Sequence, residues 1–96
     1  MADTAIVTGA GDGLGREIAL GLAHAGYSVV VADIDERAAR ACAKAIEAYG
    51  TPARALGADV RERPDMDRVV ALARELGGPH ILVNNAGGWT PQRQYP

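Results

Sequence analysis

The sequence predicts an α/β fold, a doubly wound parallel sheet with crossover helices packed against it. Short apolar runs alternate along the chain with longer segments in which apolar residues recur at helical spacing, and this alternation is typical of parallel sheets. Glycines or short polar residues follow the apolar runs, as expected where parallel strands end at a ligand-binding edge. The 96 residues accommodate one small domain.

Two strand–helix pairs are predicted in the first half of the chain. The β-branched run Thr4–Thr8 predicts the first strand, and apolar residues at helical spacing up to Gly26 predict the first helix. Residues 28–32 predict a second, buried strand, and Gly50 ends the second helix. Spacings of three and one predict that one face of this helix is buried, namely Ala38, Ala41, Cys42, Ala45, Ile46 and Tyr49.

The second half of the chain continues the alternation. Residues 53–58 predict a third strand, although Gly57 and the alanines are poor strand formers. Pro64 suits the first turn of a third helix that ends before Gly77, and residues 81–83 predict a fourth strand buried on both faces. The expected strand order 3-2-1-4 leaves the fourth strand as an uncovered edge, so we expect these residues to begin a longer chain of roughly 250.

Composition excludes several classes of protein. Ten basic and twelve acidic residues give a net charge of -2, which is too balanced for a protein that binds nucleic acid or an anionic membrane. The longest apolar run, residues 29–32, is far shorter than the roughly 20 residues of a membrane helix. Cys42 is the single cysteine, which favours a cytoplasmic protein. His24 and His80 have no other ligand type at metal spacing, so no metal site is predicted.

Four glycines lie between the first strand and the first helix. Gly9, Gly11, Gly13 and Gly15 fall within seven residues, and glycine there permits positive φ and close approach of a pyrophosphate to a helix N-terminus. A glycine-rich turn without a ligand is the alternative. The spacing is neither GxGxxG nor that of a triphosphate-binding loop; after Thr8 it reads glycine, three residues, glycine, one residue, glycine.

The ends of the second and third strands carry acidic residues. Asp33 stands twenty residues after Gly13, where a carboxylate can accept hydrogen bonds from the hydroxyls of an adenosine ribose. The alternative for Asp33 is an N-cap of the second helix. Asp59 has an alternative as well, because Asp is common between a strand and a helix.

Taken together, these segments resemble the amino-terminal part of the short-chain dehydrogenase/reductase family. The resemblance rests on TGAGDGLG at residues 8–15, on Asp33, on Asp-Val at residues 59–60 and on NNAG at residues 84–87. It spans residues 4–88. The resemblance implies a Rossmann-type sheet, an NAD(P)-dependent activity that interconverts alcohols and carbonyls, and a homo-oligomer, usually a tetramer.

The resemblance also implies roles for individual residues. The backbone around the glycines would hold the adenosine ribose and pyrophosphate, and Asp59 and Val60 would flank the adenine, with Asp59 accepting from its exocyclic amine. The Asn84–Asn85 pair would tie strand ends together. The predicted cofactor-binding residues are Gly9, Gly11, Asp12, Gly13, Leu14, Gly15, Asp33, Ile34, Asp59, Val60, Asn85, Ala86 and Gly87, the last three on the central and nicotinamide side.

The charge near Asp33 predicts NAD rather than NADP as the cofactor. A 2′-phosphate placed against Asp33 would meet like charge, and neither Asp12 nor Ile34 supplies a basic side chain for it. Arg37 is the one residue that could reach back and change this expectation.

The catalytic residues of the family are not found. Its enzymes use a tyrosine whose pKa is lowered by a lysine four residues later, assisted by a serine. Here Lys44 is the only lysine and follows Arg40 by four, Ser28 is the only serine, and Tyr95 is followed only by Pro96. We therefore expect the cofactor half of an oxidoreductase, inactive alone. The alternatives are a non-catalytic dinucleotide-binding module and a truncated product completed by a partner chain.

Overall fold

The structure is a computed structural model that describes residues 3–85. Helices and strands alternate throughout this part of the chain, as the sequence predicts. The elements are β1 (Thr4–Thr8), α1 (Gly13–His24), β2 (Ser28–Asp33), α2 (Glu36–Glu47), β3 (Ala53–Gly57), α3 (Arg63–Glu75) and β4 (Ile81–Asn84). The observed β2 extends one residue beyond the predicted range 28–32, and the observed β3 ends one residue before the end of the predicted range 53–58.

The four strands form one parallel sheet in the order β3-β2-β1-β4, which confirms the predicted fold class and strand order. The register aligns the carboxyl ends of the strands. Thr8 pairs with both Ala32 and Asn84, and Asp33 pairs with Gly57. The residues that follow the four strands therefore emerge side by side at one edge of a Rossmann-type sheet.

Both faces of the sheet are covered by helices. Val7, Val29 and Val31 belong to the cluster that contains residues of α1 and α2, whereas Ile6 and Val30 pack with residues of α3. All five side chains are almost completely buried, as expected for the central strands of a parallel sheet with helices on both sides. None of the helices within residues 3–85 is long and apolar enough to cross a membrane.

The buried face of α2 differs from the prediction. Ala41 is exposed and Tyr49 lies beyond the helix with 55% of its surface exposed. Alanines occur on almost every side of this helix, so their spacing does not define a face, and the larger Ile46 sets the side that meets the sheet. The buried residues of α2 are Ala39, Cys42, Ala43 and Ile46.

The fully buried residues of helix α1 are small, whereas Leu20 and Leu22 are only partly buried against the same core. Gly15, Ala19 and Ala23 face the sheet, while Leu14 is 68% exposed. Small side chains allow the helix axis to approach the strands closely, which brings the amino-terminal end of α1 against the end of β1.

The prediction that the fourth strand is buried on both faces is wrong for the part of the chain that the structure describes. Leu82 is 56% exposed, and Ile81 and Val83 are only partly buried. Within residues 3–85, β4 pairs with β1 alone and so forms an edge of the sheet.

Candidate functional site

Hydrogen bonds join the loops at the carboxyl ends of neighbouring strands. The Ala10 amide donates to the Ala32 carbonyl oxygen at 3.2 Å, and the Ala58 amide donates to the Asp33 carbonyl oxygen at 2.9 Å. The Asn85 Nδ2 atom donates to the Gly9 carbonyl oxygen at 3.3 Å. The segments that the sequence predicts to form one site therefore lie together.

The glycine loop between β1 and α1 is tight enough to require glycine. Gly9 and Gly13 have φ values of 64° and 55°, which side-chain-bearing residues rarely adopt. A Cβ on Gly15 would collide with the Gly9 carbonyl oxygen and lie 2.7 Å from Asn85 Nδ2. A Cβ on Gly11 would lie 2.6 Å from the Cβ of Ala38 in α2. Gly13, in contrast, is exposed, and a Cβ there would have nothing within 4 Å, so the backbone is open at this position beside the N-terminus of α1.

Asp12 has a role that sequence reasoning missed. It is the N-cap of α1, where its Oδ1 accepts a hydrogen bond from the Gly13 amide at 2.7 Å. The signal was present, since Asp is a preferred N-cap directly before a helix. The carboxylate also places negative charge at a helix end whose first turn has no acidic residue.

Asp33 is held by backbone amides from two directions. Its Oδ2 accepts from the Gly11 amide and its Oδ1 from the Asp35 amide, both at 2.9 Å. The alternative role of Asp33 as N-cap of α2 is wrong, because the N-cap is Asp35, whose Oδ1 accepts from the Ala38 amide at 3.2 Å. Each Asp33 oxygen retains a lone pair for another donor.

Within residues 3–85, no basic side chain forms an ion pair with the Asp33 carboxylate. Ile34 is 72% exposed at the same edge. Arg37 lines a groove of about 670 Å³ between α2 and β3, together with Lys44 and Arg54. No ion pair links Arg37 to Asp33 within residues 3–85, so the arginine that could have reached back to this carboxylate does not do so.

The Asp59 carboxylate is held by one nearby residue, Arg61, through both its backbone and its side chain. Arg61 donates from its amide and Nε to Oδ1, each at 3.0 Å, and from Nη2 to Oδ2 at 2.8 Å. Hydrogen bonds from the Arg61 side chain, and then from its backbone, lower the pKa of Asp59 to about 2. The Asp59 amide donates to Asp65 Oδ2 at 2.8 Å. Val60 follows in the same turn and is partly buried.

Sequence reasoning named neither Arg61 nor Asp65. An arginine two residues after an aspartate in a short turn, and an aspartate in the first turn of the next helix, are the signals that could have found them. Both patterns are common in surface turns, so they carry little weight without the geometry.

Thr8 links the end of β1 to the end of β4. Its hydroxyl donates to Asn84 Oδ1 at 3.0 Å and accepts from the Asn85 amide at 3.1 Å. The expected tie between strand ends through the asparagine pair is thus present, with Thr8 at its centre. Ala86 and Gly87, which were also predicted to bind the cofactor, lie outside the described residues.

The residues at this edge suit binding more than proton transfer. Backbone amides and a helix N-terminus favour a phosphate, and carboxylates can accept from hydroxyls or an amine. Ser28 is buried at the opposite edge of the sheet, and Lys44 lies on α2. Within the described residues, no group of three or more His, Cys, Asp or Glu side chains could hold a metal ion.

Comparison with known proteins identifies close relatives in sequence. The 7alpha-hydroxysteroid dehydrogenase of Escherichia coli is 44% identical over 89 residues, which are 92% of this chain and 35% of that protein. The (S)-acetoin-forming diacetyl reductase of Staphylococcus epidermidis is 39% identical over 88 residues, 91% of this chain and 34% of that protein. The chain therefore spans about a third of the length of the curated relatives it matches.

Solved structures give the same result in three dimensions. A 7alpha-hydroxysteroid dehydrogenase complexed with NADH and 7-oxo glycochenodeoxycholic acid matches with a TM-score of 0.84 and 44% identity, over 90% of this chain and 34% of that one. A hydroxysteroid dehydrogenase from Escherichia coli matches with a TM-score of 0.83, over 90% of this chain and 37% of that one. A nucleotide cofactor is thus present in a homologous structure with the same sheet.

A protein-family model also matches this chain. The model described as short chain dehydrogenase matches residues 3–95, nearly the whole chain. The motifs at the strand ends, the strand order, the relatives and this match agree, and the chain belongs to the short-chain dehydrogenase family of oxidoreductases.

Proposed function

We propose that the chain is the NAD(H)-binding part of an oxidoreductase that transfers hydride between the nicotinamide and an alcohol or carbonyl substrate. One observation carries the proposal. The glycine loop, the Asp33 carboxylate and Asn85 are fixed against one another at the carboxyl edge of the sheet by hydrogen bonds of 2.9 to 3.3 Å.

The donors and acceptors at this edge suit the parts of a dinucleotide. The backbone of Leu14, at the N-terminus of α1, would hold the pyrophosphate, because the Gly13 amide already donates to Asp12 Oδ1. Asp33 would accept from the adenosine ribose hydroxyls through its free lone pairs, with Ile34 beside it. When bound, the cofactor supplies the hydride acceptor or donor, and the proposed residues of its nicotinamide side are Asn85, Ala86 and Gly87.

The charges favour NAD over NADP. A 2′-phosphate on the ribose would lie beside the Asp33 carboxylate, and Asp12 adds a second carboxylate at the glycine loop. Arg37, which could offset this repulsion, lines the groove between α2 and β3 instead. A rigid carboxylate without a cation discriminates by like-charge repulsion, which is strongest at low ionic strength.

We further propose that these 96 residues bind the cofactor without turning over a substrate. A tyrosine with a lysine four residues later would supply the proton in this family, and the sequence has no such pair. The substrate class of the whole protein, an alcohol or carbonyl, and a homotetrameric assembly are proposed by family likeness. A cytoplasmic location is proposed from the single cysteine, Cys42, a buried free thiol.

A second candidate is a non-catalytic dinucleotide-binding module completed by a partner chain. The exposed Leu82 on β4 favours this candidate, because an apolar side chain at a sheet edge needs a cover. Reduction of NAD by an alcohol, catalysed by the protein isolated from the cells that make it, would support the dehydrogenase and reject the module.

The proposal is tested by calorimetric titration of the chain with NAD and with NADP. We expect the dissociation constant for NADP to exceed that for NAD by about tenfold or more, which corresponds to about 1.4 kcal/mol. Asp33→Asn should weaken NAD binding and remove most of this preference. Asp35→Asn is the matched control, since it changes a neighbouring carboxylate that caps α2. Equal binding of the two cofactors, or no binding of either, would refute the proposal.

A further inference from the structure

The Asp59 carboxylate is held by three donors from a single residue. Two come from the guanidinium of Arg61, which approaches side-on through Nε and Nη2, and the third is the Arg61 amide. A carboxylate has about four acceptor positions. Oδ1 receives two of these hydrogen bonds and Oδ2 one, so a single acceptor position remains, on Oδ2.

The turn that carries this pair is itself fixed. The Asp59 amide donates to Asp65 Oδ2 at 2.8 Å, and Asp65 Oδ1 accepts from Arg68 Nη2 at 2.6 Å. The preceding residue, Ala58, donates to the carbonyl oxygen of Asp33. Both the backbone of Asp59 and its carboxylate are therefore held relative to the proposed ribose-binding Asp33.

We infer that Arg61 is the residue that makes the base subsite selective for an aminopurine, by presenting a single Asp59 acceptor in one fixed direction. This inference rests on the proposed function, in which Asp59 accepts from the exocyclic amine of adenine. Arg61 does not itself touch the base in this account; it is a positioning residue.

The physical basis is the difference between a clamped and a rotating carboxylate. Hypoxanthine has a carbonyl oxygen where adenine has its amine, and the neighbouring ring nitrogen N1 carries a hydrogen. A carboxylate clamped by Arg61 meets that oxygen with its one free lone pair and is repelled. An unclamped Asp59 carboxylate can rotate and accept from N1–H, so it tolerates both bases. A bidentate arginine fixes direction in a way that a lysine does not.

The test compares NAD with nicotinamide hypoxanthine dinucleotide in calorimetric titrations of the wild-type chain and three variants. We expect the wild type to bind NAD at least about tenfold more tightly than nicotinamide hypoxanthine dinucleotide, because leaving a buried or clamped acceptor unpaired usually costs this much. In Arg61→Ala the ratio of the two dissociation constants, that of the hypoxanthine analogue over that of NAD, should fall to about threefold or less, mainly because the analogue binds better. Arg61→Lys retains the positive charge but lacks the two parallel guanidinium donors. This variant should therefore also lose most of the preference for NAD.

Arg63→Ala is the matched control. It removes the same charge from an exposed residue next to the same turn, and it should leave the ratio at the wild-type value. Arg61 has 70% of its side chain exposed, so its variants should fold, which circular dichroism checks. The lysine variant provides a second test if the alanine variant is unstable.

The outcomes separate the inference from the proposed function. If the wild-type chain binds neither dinucleotide, the proposed function fails and the inference with it. If the wild type binds both equally, or if Arg61→Ala or Arg61→Lys keeps the full wild-type ratio, cofactor binding stands and the inference is overturned. A loss of ratio in both Arg61 variants, with the control unchanged, supports it.

Discussion

Two aspartates at the same edge of the sheet are held in opposite ways. Asp33 at the end of β2 is fixed by the backbone amides of Gly11 and Asp35. Asp59 beyond β3 is fixed mainly by the side chain of Arg61. The first arrangement depends on glycines that let the loop approach, whereas the second depends on charge. The two halves of the proposed adenosine site should therefore respond to different perturbations, the β1–β2 half to added volume and the β3–α3 half to pH and to loss of a cation.

The largest expected effect comes from adding volume to the β1–β2 half. A methyl group at Gly15 meets the Gly9 carbonyl oxygen, which is backbone and cannot move away cheaply. Gly15→Ala should lower the free energy of unfolding by about 3 kcal/mol or more and abolish NAD binding, as measured by urea denaturation and titration.

Gly21 in the same helix provides the control. A Cβ there meets nothing within 4 Å, so Gly21→Ala should raise the free energy of unfolding by about 0.5–1 kcal/mol through helix propensity. Equal stabilities for the two alanine variants would show that the loop is not as tight as described.

A smaller effect separates the two ends of β1. Thr8 and Thr4 are both buried hydroxyls; Thr8 ties the carboxyl edge through Asn84 and Asn85, and Thr4 donates to Leu76 O at 2.8 Å at the amino edge. Substitution of either by valine should cost about 1–2 kcal/mol of unfolding free energy. Only Thr8→Val should also weaken NAD binding, by a measurable several-fold factor. An equal loss of binding in Thr4→Val would contradict a site confined to the carboxyl edge.

The smallest expected effect concerns the charge at the β3–α3 half. The pKa of Asp59 is lowered from 3.8 to about 2 by Arg61. A lowered folded-state pKa means that the pair stabilises the fold fully above about pH 4, and that this contribution disappears as the pH falls from there toward 2. Carboxyl carbon shifts, followed by NMR from pH 5 to below pH 2, should give a midpoint near 2 in the wild type.

In Arg61→Ala the midpoint of Asp59 should move toward 3.8, whereas in Arg63→Ala it should stay near 2. A wild-type midpoint close to 3.8 would show that the Arg61 clamp does not form in solution.

Much of the fold could be predicted because it depends on pattern. The alternation of apolar runs with helical segments fixed the element order, and the strand ends fell within one residue of their predicted positions. The buried face of α2 could not be predicted, since a helix with alanine on almost every side looks apolar all round. Burial of β4 could not be predicted either, because it depends on which elements cover Leu82 and not on the apolar character of Leu82 itself.

The candidate site also has features that could be predicted from the sequence and features that could not. The glycines and Asp33 could be named because a tight loop before a helix demands particular residue types at particular spacings. The Asp12 cap could have been predicted from the position of Asp12 directly before α1, but the same residue was assigned to the cofactor. The Arg61 clamp and the Asp65 support depend on side-chain directions in a turn, which spacing alone does not determine.

The most direct test of the central claim is to map NAD binding by amide NMR shifts in isotope-labelled chain. Addition of NAD should shift the amides of residues 9–15, 33–34 and 59–60, at the carboxyl edge, and should leave those around Ser28 and His80 at the amino edge unchanged. No shifts at any NAD concentration, or shifts centred on the groove between α2 and β3, would contradict the claim that the carboxyl edge of this sheet is a dinucleotide site.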